Sequence, residues 1–440
     1  MATAESSQSE SVRVDFFDPD VNECPYPAYQ RLRDDAPVWR DPATGQYLIT
    51  RYVDVRAILL DKTGRFSNQR PSGATRRGLL LPDDPKSVEA EDELADRAEQ
   101  LYEEKGFLPE PNLDALDEPG HMQRRRLFDH VFRPAAVKEL DPLIGELAHK
   151  LIDAFVEDGR CEWVSQFAVP LPLMVIGRVV GVPDEELPYI KRWTDAIVAR
   201  ISLTQSGEEL LSMVELDIEM QHYFCRHFDQ LRKSPNDTFL STLVNTDITE
   251  LGRPMTDQEL FAEMGADLFV GGAETTTNAL SHGVMLLIEH PEVWQAVKAD
   301  PENMVPRFAE EVLRLEAPVQ SLRRVATVDI ELHGVTIPAG ALINLRYGAA
   351  NRDERAFECP ESINLERKNP RSHLAFGTGA HVCLGAPLAR RELYLSFHAL
   401  VDRVDELRFI DGVSTFEHPV NYSLRGLKQL QVEFSTTLAV

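Results

Sequence analysis

One run, from Thr256 to His290, limits the fold more than any other stretch of the chain. Thr256-Asp257-Gln258-Glu259 has the S/T-x-x-E form of a capping box, which marks a helix start. An apolar-rich sequence follows without a breaker until Pro291. A helix of about 34 residues is ~50 Å long, the span of a whole domain. Such a helix is a spine, and the rest of the chain must pack around it. Its middle carries Gly271-Gly272-Ala273-Glu274-Thr275-Thr276. Two adjacent glycines inside a helix cost ~1 kcal/mol each relative to alanine. Either a bulky neighbour packs closely there, or the missing side chains leave room for a ligand. An acid and a hydroxyl follow at once, a pairing suited to proton delivery.

The second constraint is Phe376-Gly377-Thr378-Gly379-Ala380-His381-Val382-Cys383-Leu384-Gly385. It is one cysteine in a glycine-rich loop, with a helical run starting just behind it. A thiolate is favoured by backbone N–H donors at a helix start, and a thiolate ligates metals. The glycines allow tight turns and close approach of a cofactor, and Phe376 offers an apolar face to shield the sulfur. A dinucleotide loop would need glycine at Val382. A zinc site would need further thiolates near His381 and Cys383. The spacing F-x-x-G-x-x-x-C-x-G is more specific than either.

Composition bounds the rest. The net charge of −26 argues against a nucleic-acid partner. With 43% hydrophobic residues in 440, a sizeable core is expected. The five cysteines, Cys24, Cys161, Cys225, Cys359 and Cys383, are widely spaced and suggest no disulfide framework, which fits a reducing cytoplasm. Residues 1–18 read as a disordered polar tail without a signal peptide, and no apolar run is long enough for a membrane anchor. The segment 38–52 reads as a hairpin and Val53–Leu60 as a helix. Residues 66–118 carry prolines and a dense acidic run, read as a solvated acidic helix plus loops and a pocket wall. The stretch 121–230 is mostly helical, and strands are expected over 324–347 and near the C-terminus. The fold class is mainly α with a minor β region.

Two further patterns stand out. Glu311-Val312-Leu313-Arg314 places opposite charges on one helix face. His121 and Arg125 share another face, and Arg324 and His381 add basic groups elsewhere. Arginine pairs carboxylates well.

Together these motifs resemble the cytochrome P-450 superfamily, the haem-thiolate monooxygenases, in its bacterial form lacking an anchor. The resemblance runs from about Pro25 to the C-terminus and implies the cytochrome P-450 fold as a single domain over 19–440. It implies haem b as cofactor, dioxygen as co-substrate, and Cys383 as the axial ligand of the iron. Glu274 and Thr275 would pass protons to oxygen. His121, Arg125, Arg324 and His381 would hold the haem propionates, with Arg324 preferred over Arg323. Ala273, Ala375, Phe376, Gly377, Gly385 and Ala389 would complete the cofactor site. Glu311 and Arg314 would brace the core, joined by Arg352 or Arg367. Phe269, Val270, Val319, Gln320 and Leu322, with segments 66–118 and 195–215, would wall a pocket for a hydrophobic small molecule. The chain has no flavin or iron–sulfur motif, so electrons are expected from a ferredoxin and its reductase. Arg124, Arg126, Arg390 and Arg391 would form the docking patch. A monomer is expected. A peroxide-using or rearranging haem-thiolate enzyme and a non-enzymatic haem sensor are the alternatives. The first would more naturally lack Glu274-Thr275.

Overall fold

The computed structural model describes residues 12–69, 85–205, 207–413 and 417–436. The spine forms as the sequence predicts. Thr256 caps it through a complete capping box with Glu259, and it runs as α-helix over Asp257–Ala262. Through Glu263–Glu274 it widens to a π-helix, then returns to α-helix over Thr275–Glu289. Every side chain from Thr276 to Leu287 is buried. A helix buried on all sides lies inside a large protein.

Helices cover the spine from several sides. Pro170–Val180 and Leu187–Ser202 pack on its π-helical part. Pro301–Leu315 and Ala386–Arg403 pack on its second half. At Gly283 a Cβ would lie 2.3 Å from Phe397, so glycine permits the close crossing of the spine and Ala386–Arg403.

The strands gather to one side. A five-stranded sheet has the order Val38–Arg40, Tyr47–Ile49, Leu342–Arg346, Ser321–Ala326, Phe66–Ser67. Its central strand Leu342–Arg346 is buried throughout, as a strand covered on both faces must be. It runs parallel to Tyr47–Ile49 and antiparallel to Ser321–Ala326. A second sheet joins Val404–Phe409, Gln431–Thr436 and Arg160–Glu162.

The acidic run forms the helix Pro85–Lys105. It is solvated on one side only. Leu94, Ala98 and Tyr102 are buried against Leu210, Leu211, Val214 and Ile218 of the helix Gly207–Lys233. Tyr102 donates a 2.6 Å hydrogen bond to Asp217, and Arg200 donates to Tyr102 at 3.0 Å.

One boundary changes. The tail expected over 1–18 is packed from Val12 onward. Val12 and Phe16 are buried beside Tyr29, Trp39 and Tyr422, because these aromatic rings come together only when the two ends of the chain meet. Residues 1–11 lie outside the described part.

Candidate active site

The cysteine loop is held by its own backbone. Gly377 N–H donates to Leu374 O at 2.9 Å, and Cys383 N–H donates to Phe376 O at 2.8 Å. Gly377 and Gly379 take φ of +63° and +78°, a region that favours glycine. A Cβ at Gly379 would sit 2.4 Å from the Leu59 carbonyl oxygen. The helix Ala386–Arg403 starts immediately behind the loop, and Ala375 and Ala389 flank it half-buried. Enclosure by protein pushes the Cys383 thiol up from its ordinary value. The N–H groups of Gly385 and Ala386, with Arg125 and Arg390, pull it down. The same residue is exposed to a water-sized sphere. Dense surroundings together with local exposure describe a recessed wall, where a thiol can meet a ligand.

The four basic residues converge on this loop. The His121 and His381 rings stack with centroids 3.8 Å apart. Arg125 donates to Ala380 O at 3.4 Å. Burial, then the charges of His121 and Arg324, drive His381 down to about 4. Arg323 lies on the other face of its strand, donating to Gln46 at 3.3 Å and Ser423 at 3.2 Å. Two arginines and two histidines gathered beside a recessed thiol fit a ligand that carries carboxylates on one edge, as haem does. Asn68, which no sequence pattern singles out, holds His381 through a 3.0 Å contact with its Nε2.

On the spine, Thr275 Oγ1 donates to Gly271 O at 2.8 Å, next to the end of the π-helical stretch. π-Helical turns often occur at functional sites. The two glycines divide the two expectations between them. A Cβ at Gly272 would approach Ile176 to 3.0 Å, which is the close-packing role. Gly271 is exposed although the spine is central, which leaves the other role open to it. Ala273 is buried beside them. Burial raises the Glu274 carboxyl, opposed by Lys191, while Asp195 raises it further and a hydrogen bond with Asn278 lowers it. Its proton is therefore held more tightly than on an exposed glutamate.

A residue missed in the sequence lies close by. Glu392, on the helix behind Cys383, is fully buried, and neither carboxyl oxygen has a hydrogen-bond partner of acceptable geometry among the described residues. Burial pushes it up to about 8, with Thr276 the only opposing neighbour. Its neighbourhood arises from the crossing of two helices, so no local pattern announces it.

Two networks brace the loop. Arg314 grips Glu311 with two bonds of 2.9 Å, and Arg367 adds a third of 2.9 Å. Arg314 also donates to the carbonyls of Asn351, Pro360 and Ser362. Of the two arginines expected to join, Arg367 does, whereas Arg352 pairs with Glu316 at 3.0 Å. The adjacent Glu310 binds His373 at 2.9 Å and Arg390 at 2.7 Å, tying both ends of the cysteine loop to one carboxylate. Burial alone would raise Glu310, but these two partners hold it at about 2.

Three expectations need correction. Gln320 does not face a substrate pocket. Its amide accepts from Tyr29 at 3.0 Å and donates to Ala317 O at 2.7 Å, toward the N-terminal segment. Phe269 is fully buried with its ring 5.8 Å from that of Phe224, so it serves the core. The basic patch is neutralised: Arg124 pairs with Glu259 and Glu263, Arg126 with Glu250, Arg390 with Glu310 and Arg391 with Asp141. Buried Val270 and half-buried Val319 and Leu322 remain compatible with an apolar wall. Part of the expected wall over 66–118 lies outside the described residues.

A mainly helical fold with a recessed, N–H-supported thiol and a ring of basic groups defines a haem-thiolate protein. The family model described as Cytochrome P-450 matches residues 198–405. A steroid C26-monooxygenase of Mycobacterium tuberculosis (strain CDC 1551 / Oshkosh) is 35% identical over 78% of this chain and 92% of its own. The polyketide biosynthesis cytochrome P-450 PksS of Bacillus subtilis (strain 168) is 31% identical over 93% of this chain and 96% of its own. A solved structure of Bacillus subtilis 168 PksS superposes with a TM-score of 0.80 at 29% identity, covering 96% of this chain and 100% of that one. The chain belongs to the cytochrome P-450 family: it is a monooxygenase that uses haem b and dioxygen. Among the described residues, no helix is long and apolar enough to cross a membrane.

Proposed function

We propose that this chain inserts one oxygen atom from dioxygen into a hydrophobic small molecule, with electrons from a separate ferredoxin and its reductase. The observation that carries the reading is Cys383, recessed, supported by the Gly385 and Ala386 N–H groups and ringed by His121, Arg125, Arg324 and His381. When bound, the haem supplies oxygen activation and the insertion step.

The protein's own groups do the rest. Cys383 would ligate the iron as thiolate, and the Gly385 and Ala386 N–H donors would offset part of the cost of burying that charge. His121, Arg125, Arg324 and His381 would hold the propionates by hydrogen bonds and charge. Ala273, Ala375, Phe376, Gly377, Gly385 and Ala389 would offer the macrocycle small or flat surfaces. Glu274, which holds its proton tightly, and Thr275, anchored on Gly271 O, relay protons from solvent. Val270, Val319 and Leu322 exclude water from the substrate. The steroid and polyketide relatives make such molecules the first to screen. Residues 19–440 act as one monomeric, cytoplasmic unit.

The test is spectroscopic and then catalytic. The reduced, haem-loaded protein under carbon monoxide should show the red-shifted band of thiolate ligation, and Cys383→Ala should lack it. A wild-type protein without that band would overturn the reading. A low- to high-spin shift on titrating hydrophobic compounds identifies ligands. Turnover of those ligands with ferredoxin and reductase separates this reading from one that needs only peroxide.

A further inference from the structure

A second site lies away from the cysteine loop, where the two ends of the chain meet the central sheet. A cavity of about 20 Å³ is lined by Phe16, Asn22, Tyr29, Gln320, Arg346, Asn421, Tyr422 and Arg425, among others. That is room for one particle the size of a water molecule. Arg346, on the central strand, is 1% exposed. Its guanidinium carbon lies 4.4 Å from the Phe16 ring centroid and 4.3 Å from that of Tyr422, and the two rings are perpendicular with centroids 6.3 Å apart, so they meet it from adjacent sides. Nη1 donates to Tyr422 O at 2.9 Å. Nε and Nη2, the edge that grips an anion with two parallel bonds, are buried, and among the described residues no acceptor meets them in good alignment, although the Tyr29 and Tyr422 hydroxyls lie close by.

Charge and hydrogen bonding select the occupant. The lining holds two guanidinium groups and no carboxylate. Arg425 has its own partner in Glu316 at 2.8 Å. The nearby acid Asp41 is already engaged by Thr44 and Tyr422, both through their hydroxyls. The amide oxygens of the lining already accept. Gln320 accepts from Tyr29, Asn421 from the N–H groups of Ser423 and Leu424, and Asn22 from the N–H of Asn421. Among the described residues Arg346 forms no ion pair, so a water molecule there would leave its buried charge uncompensated. A monatomic anion only accepts.

We propose that this cavity is a halide site, with chloride held in the guanidinium plane by Arg346 Nε and Nη2. The ion links the N-terminal segment, the central strand and the C-terminal segment. The C-terminal segment in turn fixes the start of strand Ser321–Ala326, where Gln320 N–H donates to Ser423 O at 2.8 Å and Leu424 bridges Val319.

Two measurements on the haem-loaded, full-length protein test this. Thermal unfolding at constant ionic strength, exchanging gluconate for chloride, should show a midpoint that rises with chloride and saturates. Arg346→Gln should remove that dependence. Crystals soaked in bromide should show an anomalous peak within hydrogen-bond distance of both Nε and Nη2, and this readout needs no variant. A midpoint indifferent to chloride, or a wild-type crystal with only water at Arg346, overturns the proposal.

Discussion

Thr275 and Glu392 show how a single side chain acquires a role from its surroundings. Thr275 is tied by one 2.8 Å bond to the Gly271 carbonyl. Thr275→Ala is expected to leave the substrate-induced spin shift intact while product per electron falls several-fold and peroxide rises. Unchanged coupling would remove Thr275 from the relay. Glu392 is held protonated by burial up to about pH 8, whereas an unfolded glutamate titrates near 4.5. Between those values the folded state keeps a proton that the unfolded state has lost, so stability contributed by this site falls as pH rises. Glu392→Gln should flatten the decline in unfolding midpoint from pH 5 to 8. An identical slope in wild type and variant would mean that the carboxyl is ionised in the fold. The candidate site residues legible in the sequence are those inside a spaced motif, Cys383 and Thr275 above all. Glu392 was not legible, because its burial comes from a helix crossing and not from its neighbours in the chain.

At the scale of elements, the cysteine loop depends on the helix Pro301–Leu315. Glu311 and Arg314 are both buried, and removing one partner of such a pair leaves an unpaired charge in the core. Arg314→Ala should therefore cost about 3–5 kcal/mol, read as a lower denaturant midpoint and faster haem loss. A change within experimental error would show that Arg367 compensates. The spine illustrates how much of an element its own sequence contains. The capping box at Thr256 and the stop at Pro291 were both readable, since they depend on residues three or four apart. The π-helical stretch was not, since it spans Glu263–Glu274, where the helices Pro170–Val180 and Leu187–Ser202 pack on the spine from distant parts of the chain.

Across the whole molecule, the acidic helix Pro85–Lys105 is a separately docked cover. Its hold on the helix Gly207–Lys233 rests on a small apolar seam, on Tyr102 between Asp217 and Arg200, and on the pairs Arg97–Glu208 and Lys105–Glu215. Tyr102→Phe should raise amide exchange throughout Pro85–Lys105 and leave the Cys383 loop as protected as before. Equal exchange in both proteins would assign the hold to the seam and the two ion pairs. The same distinction separates what the sequence by itself determined from what tertiary structure decided. Helix starts and stops, the left-handed glycines of the loop and the face shared by Glu311 and Arg314 follow from steric and hydrogen-bonding rules acting over a few residues. Arg126 meeting Glu250, Gln320 turning to Tyr29, Phe16 covering Arg346 and Glu310 gathering His373 and Arg390 depend on chain closure across distances that no local rule spans. Each of these residues had several partners of suitable chemistry in the sequence, and only packing brought one of them within reach.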